Sequence, residues 1–116
     1  MLVGALFGFS GVAIGAFGAH GLRARVSPEM LAVFETGARY HLYHALAILA
    51  TASLMPRAGS VRLFVAAGWL FSAGIILFSG SLYLLALTGV TVLGAITPLG
   101  GLAFLAAWAC LAYGSI

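Results

Sequence analysis

The residues that could carry chemistry in this 116-residue chain lie in one stretch, between His20 and His44. Histidine titrates near neutral pH, so histidines close to a glutamate could pass protons. Histidines three residues apart on a helix, such as His41 and His44, can also bind one metal ion, but only His20 and Glu35 could add further ligands, and we predict no metal site. The candidate polar cluster comprises His20, Glu35, Arg39, Tyr40, His41, Tyr43 and His44.

Helical spacing relates the members of this cluster to one another. Glu35 and Arg39 are four residues apart with the acid first, which is the favourable order for an ion pair. Tyr40 and His44 form a second pair at the same spacing, about 100° round the helix. His44 precedes Met55 by eleven residues, roughly 16 Å along the axis, so it is predicted near mid-depth of a bilayer.

Two interpretations of the cluster remain open. In the first, Glu35 and Arg39 form an ion pair at the membrane surface, while His41 and His44 are neutral and bond to tyrosines, serines or carbonyls of adjacent helices. In the second, His41 and His44 relay protons with Glu35 near the entrance, because ionisable groups inside a membrane commonly serve a function.

Other patterns that could indicate catalysis are weak. The chain has no aspartate, and its two glutamates are six residues apart. Gly15, Gly18 and Gly21 do not form a phosphate-binding loop, because no strand precedes them. A tightly packed helical turn is a sufficient explanation for Ser79 and Ser81. We therefore expect no enzymatic activity and no cofactor.

The elements that carry these residues are predicted to lie in a membrane. Hydrophobic residues make up 64% of the chain and charged residues 6%, whereas about a quarter of the residues in soluble domains are charged. No charged residue or histidine occurs from Leu63 to Ile116. The net charge of +3 comes from scattered arginines, which argues against a nucleic-acid partner. The first partner expected is the lipid bilayer.

Four apolar stretches are long enough to cross a bilayer. They predict an all-α fold, an integral membrane four-helix bundle that forms a single domain over residues 1–116. Ser27 before Pro28 and Thr97 before Pro98 are typical helix starts, with the hydroxyl residue as the N-cap. The predicted spans are approximately 2–20, 36–55, 62–87 and 98–115, with an amphipathic start of the second helix at 28–35.

Small residues recur along three of the four predicted helices at the spacing of one helical face. In lipid such faces let helix backbones approach closely, whereas in water each glycine would cost a helix about 1 kcal/mol relative to alanine. The residues predicted to pack helices together are Gly4, Gly8, Gly11, Gly15 and Gly18 in the first helix, Gly68, Ser72 and Ser79 in the third, and Gly100, Ala103 and Ala107 in the fourth.

Four blocks of the sequence together resemble a known family: residues Gly15–Leu22, Phe34–Ala47, Phe78–Gly89 and Leu93–Gly101. The family consists of small uncharacterised bacterial membrane proteins, the domain of unknown function 423, and is similar to the eukaryotic transmembrane protein 256. The resemblance implies a four-helix protein of the bacterial inner (plasma) membrane and brings no established activity. The signature positions carried over are His20, Gly37, Arg39, Tyr40, His44, Ser79, Ser81, Tyr83, Pro98 and Gly101.

The function predicted from the sequence is that of a non-catalytic packing, accessory or assembly protein. The alternative is a small oligomeric transporter or proton-conducting protein that uses the polar cluster on the second helix. Both interpretations predict an interface in the membrane, either with further copies of the chain or with an unidentified membrane protein.

Overall fold

The computed structural model describes all 116 residues, and it is entirely helical, with four long helices and no strand. The first helix is α1 (Leu2–Phe17), which continues into a π-helical turn at Gly18–Leu22. The second is α2 (Pro28–Leu54). The third comprises α3 (Val61–Gly74) and α4 (Gly80–Thr88), joined without a break by a π-helical turn at Ile75–Ser79. The fourth is α5 (Thr97–Gly114), preceded by a 3₁₀ turn at Thr91–Ala95.

The two predicted helix starts have different outcomes. The Ser27 cap is confirmed, because its hydroxyl oxygen accepts a hydrogen bond from the Met30 N–H at 3.3 Å. The Thr97 cap is wrong, because α5 begins at Thr97 itself and no side chain caps it. The Thr97 hydroxyl instead lies 2.8 Å from the hydroxyl of Ser81, so it joins α5 to α4.

The helices are arranged with α1 and α5 at the two outer edges. Helix α1 packs mainly on α2, and α5 packs mainly on α3, while α2 and the third helix lie between them. Only 17% of the apolar window in each outer helix is buried, against 44% in the third helix. The Cα extents of 48 × 26 × 15 Å describe a flattened molecule. Two of the four helices therefore present most of their surface outward.

Three of the four helical stretches are long and apolar enough to cross a membrane: Leu2–Leu22, Val61–Thr88 and Thr91–Gly114. Helix α2 does not belong to this group, because its amino-terminal half carries the polar residues of the cluster. At about 1.5 Å per residue its 27 residues are nevertheless longer than the hydrocarbon core is thick. The span 36–55 within α2 stays a prediction.

The glycine stripe of α1 is divided between two environments. Gly4, Gly11 and Gly18 are buried, and a Cβ added to them would lie 2.9 Å from Leu49, 2.8 Å from Leu42 and 2.7 Å from Phe34 respectively, all on α2. A Cβ added to Gly8 or Gly15 would meet nothing within 4 Å. Relative to the mean direction of the three buried glycines, the latter two lie about 40 to 60° further round the helix, so they fall at the margin of the contact with α2.

The small residues of α5 and the third helix also differ in their contacts. Gly100 and Ala107 are buried, Ala103 is half-buried, and a Cβ on Gly100 would lie 2.7 Å from the Cα of Phe78. Gly68 has nothing within 4 Å of an added Cβ, and its carbonyl accepts a hydrogen bond from Ser72 at 2.8 Å. Ser79 is fully buried in the π-helical turn, and its hydroxyl has no hydrogen-bond partner.

Candidate functional site

His41 is the centre of a hydrogen-bonded chain that joins three helices. Its Nδ1 lies 3.1 Å from the hydroxyl of Tyr83 on α4, and its Nε2 lies 3.4 Å from the hydroxyl oxygen of Ser10 on α1. Ser10 donates its single proton to the Phe7 carbonyl at 3.1 Å. Ser10 must therefore accept from His41 Nε2–H, which leaves His41 Nδ1 to accept from Tyr83. Every member of this chain has a partner within the protein.

A glycine on α2, Gly37, provides the space that this chain needs. A Cβ on Gly37 would lie 2.9 Å from the ring of Tyr83 and 3.3 Å from the Cβ of Leu82. Glycine at this position therefore lets α4 approach closely enough for Tyr83 to reach His41. Phe34, one turn earlier on α2, packs its ring on Tyr83 with the centroids 4.8 Å apart.

Tyr83→Phe tests whether this chain contributes to stability. The change removes the donor to His41 Nδ1 and keeps the ring, so we expect the free energy of unfolding to fall by about 1 kcal/mol. Unfolding of the purified protein in detergent, followed by circular dichroism, measures the effect. Tyr113→Phe is the matched control, because Tyr113 is 73% exposed and makes no side-chain hydrogen bond. Equal effects of the two changes would contradict the assigned role of Tyr83.

His44 has a different environment, although it is only three residues further along α2. Its imidazole lies flat on the ring of Phe104, with the centroids 3.5 Å apart and the planes 4° from parallel. Its Nδ1 donates to the Tyr40 carbonyl at 2.8 Å, since a carbonyl can only accept. The ring is therefore held in one tautomer, with the lone pair on Nε2. The bond is to its own helix rather than to an adjacent one.

A groove of about 570 Å³ opens beside His44, between α2 and α5. Its walls are largely aromatic: Tyr40 stacks on Phe78 at 4.7 Å, and Phe104 and Trp108 complete the side formed by α5. Tyr40 is 40% exposed here. The groove is apolar, with a few polar atoms at its edge, which is the usual character of a binding site for a small molecule.

The remaining members of the predicted cluster lie on outward surfaces. His20 is exposed in the π-helical turn after α1, and Glu35, Arg39 and Tyr43 are exposed along one face of α2. The predicted ion pair is wrong: the charged groups of Glu35 and Arg39 do not come within 4.0 Å, and Arg39 donates to the Thr36 hydroxyl at 3.5 Å instead. The seven residues therefore occupy three separate places, namely the His41 chain, the His44 groove and the outer surface.

Some residues of these sites gave no signal of chemistry in the sequence. Ser10 lies among the glycines of α1, and its sequence position suggests only another small packing residue, yet its hydroxyl accepts the hydrogen bond from His41. Phe104 is one of many apolar residues in α5, yet it determines the orientation of His44. Tyr83 was indicated only by the family resemblance. No three His, Cys, Asp or Glu side chains are grouped as ligands of a metal ion would be.

The sequence of a known family matches most of the chain. The family described as "Protein of unknown function (DUF423)" matches residues 14–101, which include His41 and His44. The chain belongs to the DUF423 family. This result confirms the family indicated by the four sequence blocks.

Similar members of the DUF423 family come from several bacteria. The chain is 47% identical to the UPF0382 membrane protein YwdK of Bacillus subtilis over 108 residues, which are 93% of this chain and 88% of that protein. It is 46% identical to the UPF0382 membrane protein SAB0533 of Staphylococcus aureus, covering 96% and 89%. A UPF0382 membrane protein of Haemophilus influenzae is 45% identical, covering 96% and 88%. No solved structure matches the chain significantly. The chain is therefore a membrane protein of an uncharacterised family.

Proposed function

We propose that this DUF423 protein is a four-helix bundle of the bacterial plasma membrane with a non-catalytic role in assembly, and that its partner is a second copy of itself. The observation that carries the proposal is the outer face of α2, where Glu35 and Arg39 are exposed and unpaired with each other. Exposed charges near the membrane surface attract a surface of complementary charge, so a partner that pairs with both of them gains free energy.

The charges on this face are complementary to a second copy of the same face. When two α2 helices lie side by side with the same orientation in the membrane, Glu35 of each copy can approach Arg39 of the other, because the two residues are one helical turn apart. Two such pairs form in a two-fold dimer. Tyr43 continues the exposed face by one further turn, and 60% of its surface is free in the single chain.

The proposed interface also includes the two glycines of α1 that lie outside the contact with α2. Phe7 and Ile14 pack against residue clusters that include the third helix, and Gly8 and Gly15 are each turned about 100° from the residue before them, away from that helix. Gly8 and Gly15 are seven residues apart and form a shallow surface that a helix backbone can approach. An interface that combines this surface with the charged face of α2 involves both α1 and α2 of each copy.

The alternative of proton conduction has less support. The hydrogen-bonded chain through His41 runs across the molecule from α4 to α1. It ends on the backbone carbonyl of Phe7 in α1, which accepts a hydrogen bond but has no proton to pass on. Glu35 and Arg39 are not part of it. A conducting path would have to be created between copies, where the exposed residues of α2 meet.

A charge exchange tests the proposed dimer. Glu35→Arg and Arg39→Glu each place like charges opposite one another, so we expect each to weaken dimerisation at least tenfold, about 1.4 kcal/mol. The double variant, Glu35→Arg with Arg39→Glu, restores opposite charges and is expected to recover the dimer. Energy transfer between two fluorescent labels, measured in vesicles of increasing lipid-to-protein ratio, reports the dissociation.

The control is Arg62→Glu, which changes an exposed charge at the start of α3 and should leave the dimer intact. Gly8→Leu is an independent variant, because it obstructs the α1 surface without entering the contact with α2. A wild-type chain that is monomeric at all lipid ratios would refute the proposal. Single and double variants that dimerise equally well would refute the charge pairing.

A further inference from the structure

His44 has an unused hydrogen-bond acceptor beside the α2–α5 groove. Its Nδ1 proton is committed to the Tyr40 carbonyl, and the stack on Phe104 prevents the ring from turning over easily. Its Nε2 lone pair makes no hydrogen bond, although the residue is only 6% exposed. An imidazole nitrogen without a partner costs free energy in an apolar environment.

This nitrogen is open to the groove rather than sealed in the protein. Ser79 has the single enclosed side-chain polar atom that lacks a hydrogen-bond partner. His44 Nε2 also lacks a partner, so it must be reachable from outside. His44 lines the groove, and the groove is the space beside it that can hold a molecule. A ligand in the groove can therefore donate a hydrogen bond to Nε2.

The groove offers two further polar groups and several aromatic faces. Neither the hydroxyl of Tyr40 nor the indole N–H of Trp108 makes a hydrogen bond within the protein. The rings of Tyr40, Phe78 and Phe104 lie 4.7 to 6.4 Å from one another, between centroids. Phe104 is buried and already stacked on His44, so the surfaces open to a ligand belong to Tyr40, Phe78 and Trp108, and such aromatic surfaces bind flat rings by offset stacking. The volume of about 570 Å³ lies within the range of small-molecule sites.

These features select the chemistry of the occupant. The acyl tails of lipids fill apolar space but cannot donate to His44, and few water molecules reach the interior of a bilayer. The occupant must be apolar enough to enter from the membrane, flat enough to stack, and able to donate a hydroxyl proton. We propose that the α2–α5 groove binds a membrane-soluble phenolic ring, such as the head group of a quinol, with its hydroxyl donating to His44 Nε2.

The probe for this site is a 1,4-hydroquinone that carries a decyl tail, and its comparison compound is the corresponding dimethyl ether, which cannot donate. Trp108 reports occupancy by fluorescence quenching once Trp69, the only other tryptophan, is replaced by phenylalanine. Trp69 is 70% exposed and lies outside the groove. Titration is carried out in nanodiscs under argon, so that the hydroquinone stays reduced.

The hydroquinone is expected to quench saturably at one molecule per chain and to bind at least tenfold more tightly than its dimethyl ether. His44→Phe keeps the stack on Phe104 and removes the acceptor, so this preference should disappear. His20→Phe changes an exposed histidine outside the groove and should leave it unchanged.

Gly101→Leu fills the groove from α5 and provides a test that does not depend on the histidine. A Cβ at Gly101 would have its nearest neighbour at 4.0 Å, so a larger side chain can enter the groove without displacing the backbone. This variant should abolish saturable quenching. Equal binding of the hydroquinone and its ether to the wild type would mean that acyl chains or any apolar molecule fill the groove, and would overturn the proposal. Saturable quenching that survives in Gly101→Leu would overturn it as well.

Discussion

Replacing Gly100 with alanine should lower the free energy of unfolding by about 3 kcal/mol, near the upper end of the usual cost of overpacking. The added methyl group would lie 2.7 Å from the Cα of Phe78, and it would approach the backbone nitrogen of the same residue. Backbone atoms inside a helix cannot turn aside as a flexible side chain can. The contact between α5 and the π-helical turn would therefore have to open.

The control for this prediction is the neighbouring glycine. A methyl group at Gly101 would have its nearest neighbour, a ring carbon of Phe78, at 4.0 Å. Gly101→Ala adds the same group to the same turn of α5 and gains the same helix propensity. Denaturation in detergent, followed by circular dichroism, compares the two variants. If Gly101→Ala lost as much stability as Gly100→Ala, close packing at Gly100 would not explain the effect.

Replacing Gly11 with leucine should cost roughly 3 kcal/mol or more, because it separates α1 from α2. A Cβ at this position would lie 2.8 Å from the Cδ2 atom of Leu42 and 3.3 Å from the ring of His41. A leucine carries three more carbon atoms beyond the Cβ, so the neighbouring side chains of α2 would have to move further than for alanine. Displacement of α1 would also lengthen the bond between His41 and Ser10, which is already 3.4 Å.

Gly15→Leu is the matched variant for Gly11→Leu. It introduces the same side chain into the same helix, at a glycine with nothing within 4 Å of an added Cβ. In monomeric protein we expect Gly15→Leu to retain or slightly increase stability, since leucine favours a helix more than glycine does. Thermal unfolding in a detergent that dissociates oligomers separates this effect from any effect on the proposed dimer. Equal losses in both variants would refute the division of the glycine stripe.

The helices could be predicted from the sequence because the length of an apolar stretch and the residues that start a helix depend only on neighbouring residues in the chain. Ser27 caps α2 as its position before Pro28 indicates. Thr97 also precedes a proline, yet its hydroxyl bonds to Ser81 on α4 instead of capping α5. The choice between these two hydrogen bonds depends on the position of another helix, which the local sequence does not contain. The π-helical turn at Ile75–Ser79 also had no local signal, because the third helix is apolar on nearly every side and a change of phase does not show in its sequence.

The residues of the candidate site could be predicted from the sequence, but their division among three separate places in the structure could not. Residues three apart on a helix differ in direction by about 60°, so the sequence places His41 and His44 on similar faces. In the structure this angle is enough for His41 to face α1 and α4 while His44 faces α5. In the same way, the spacing of Gly4, Gly8 and Gly11 defines a broad face, and only the position of α2 decides which glycines it covers.

The π-helical turn at Ile75–Ser79 has a consequence for how the third helix serves its neighbours. An α-helix keeps one angular phase along its length, so the same sides of it face its partners throughout. The extra residue in the turn advances that phase by about 100°. The segment before the turn packs on both α5 and α2, and the segment after it packs on α2. Beyond Ser79 the side of the rod that met α5 is turned away from it, and the last turns of the third helix keep α2 as their main neighbour.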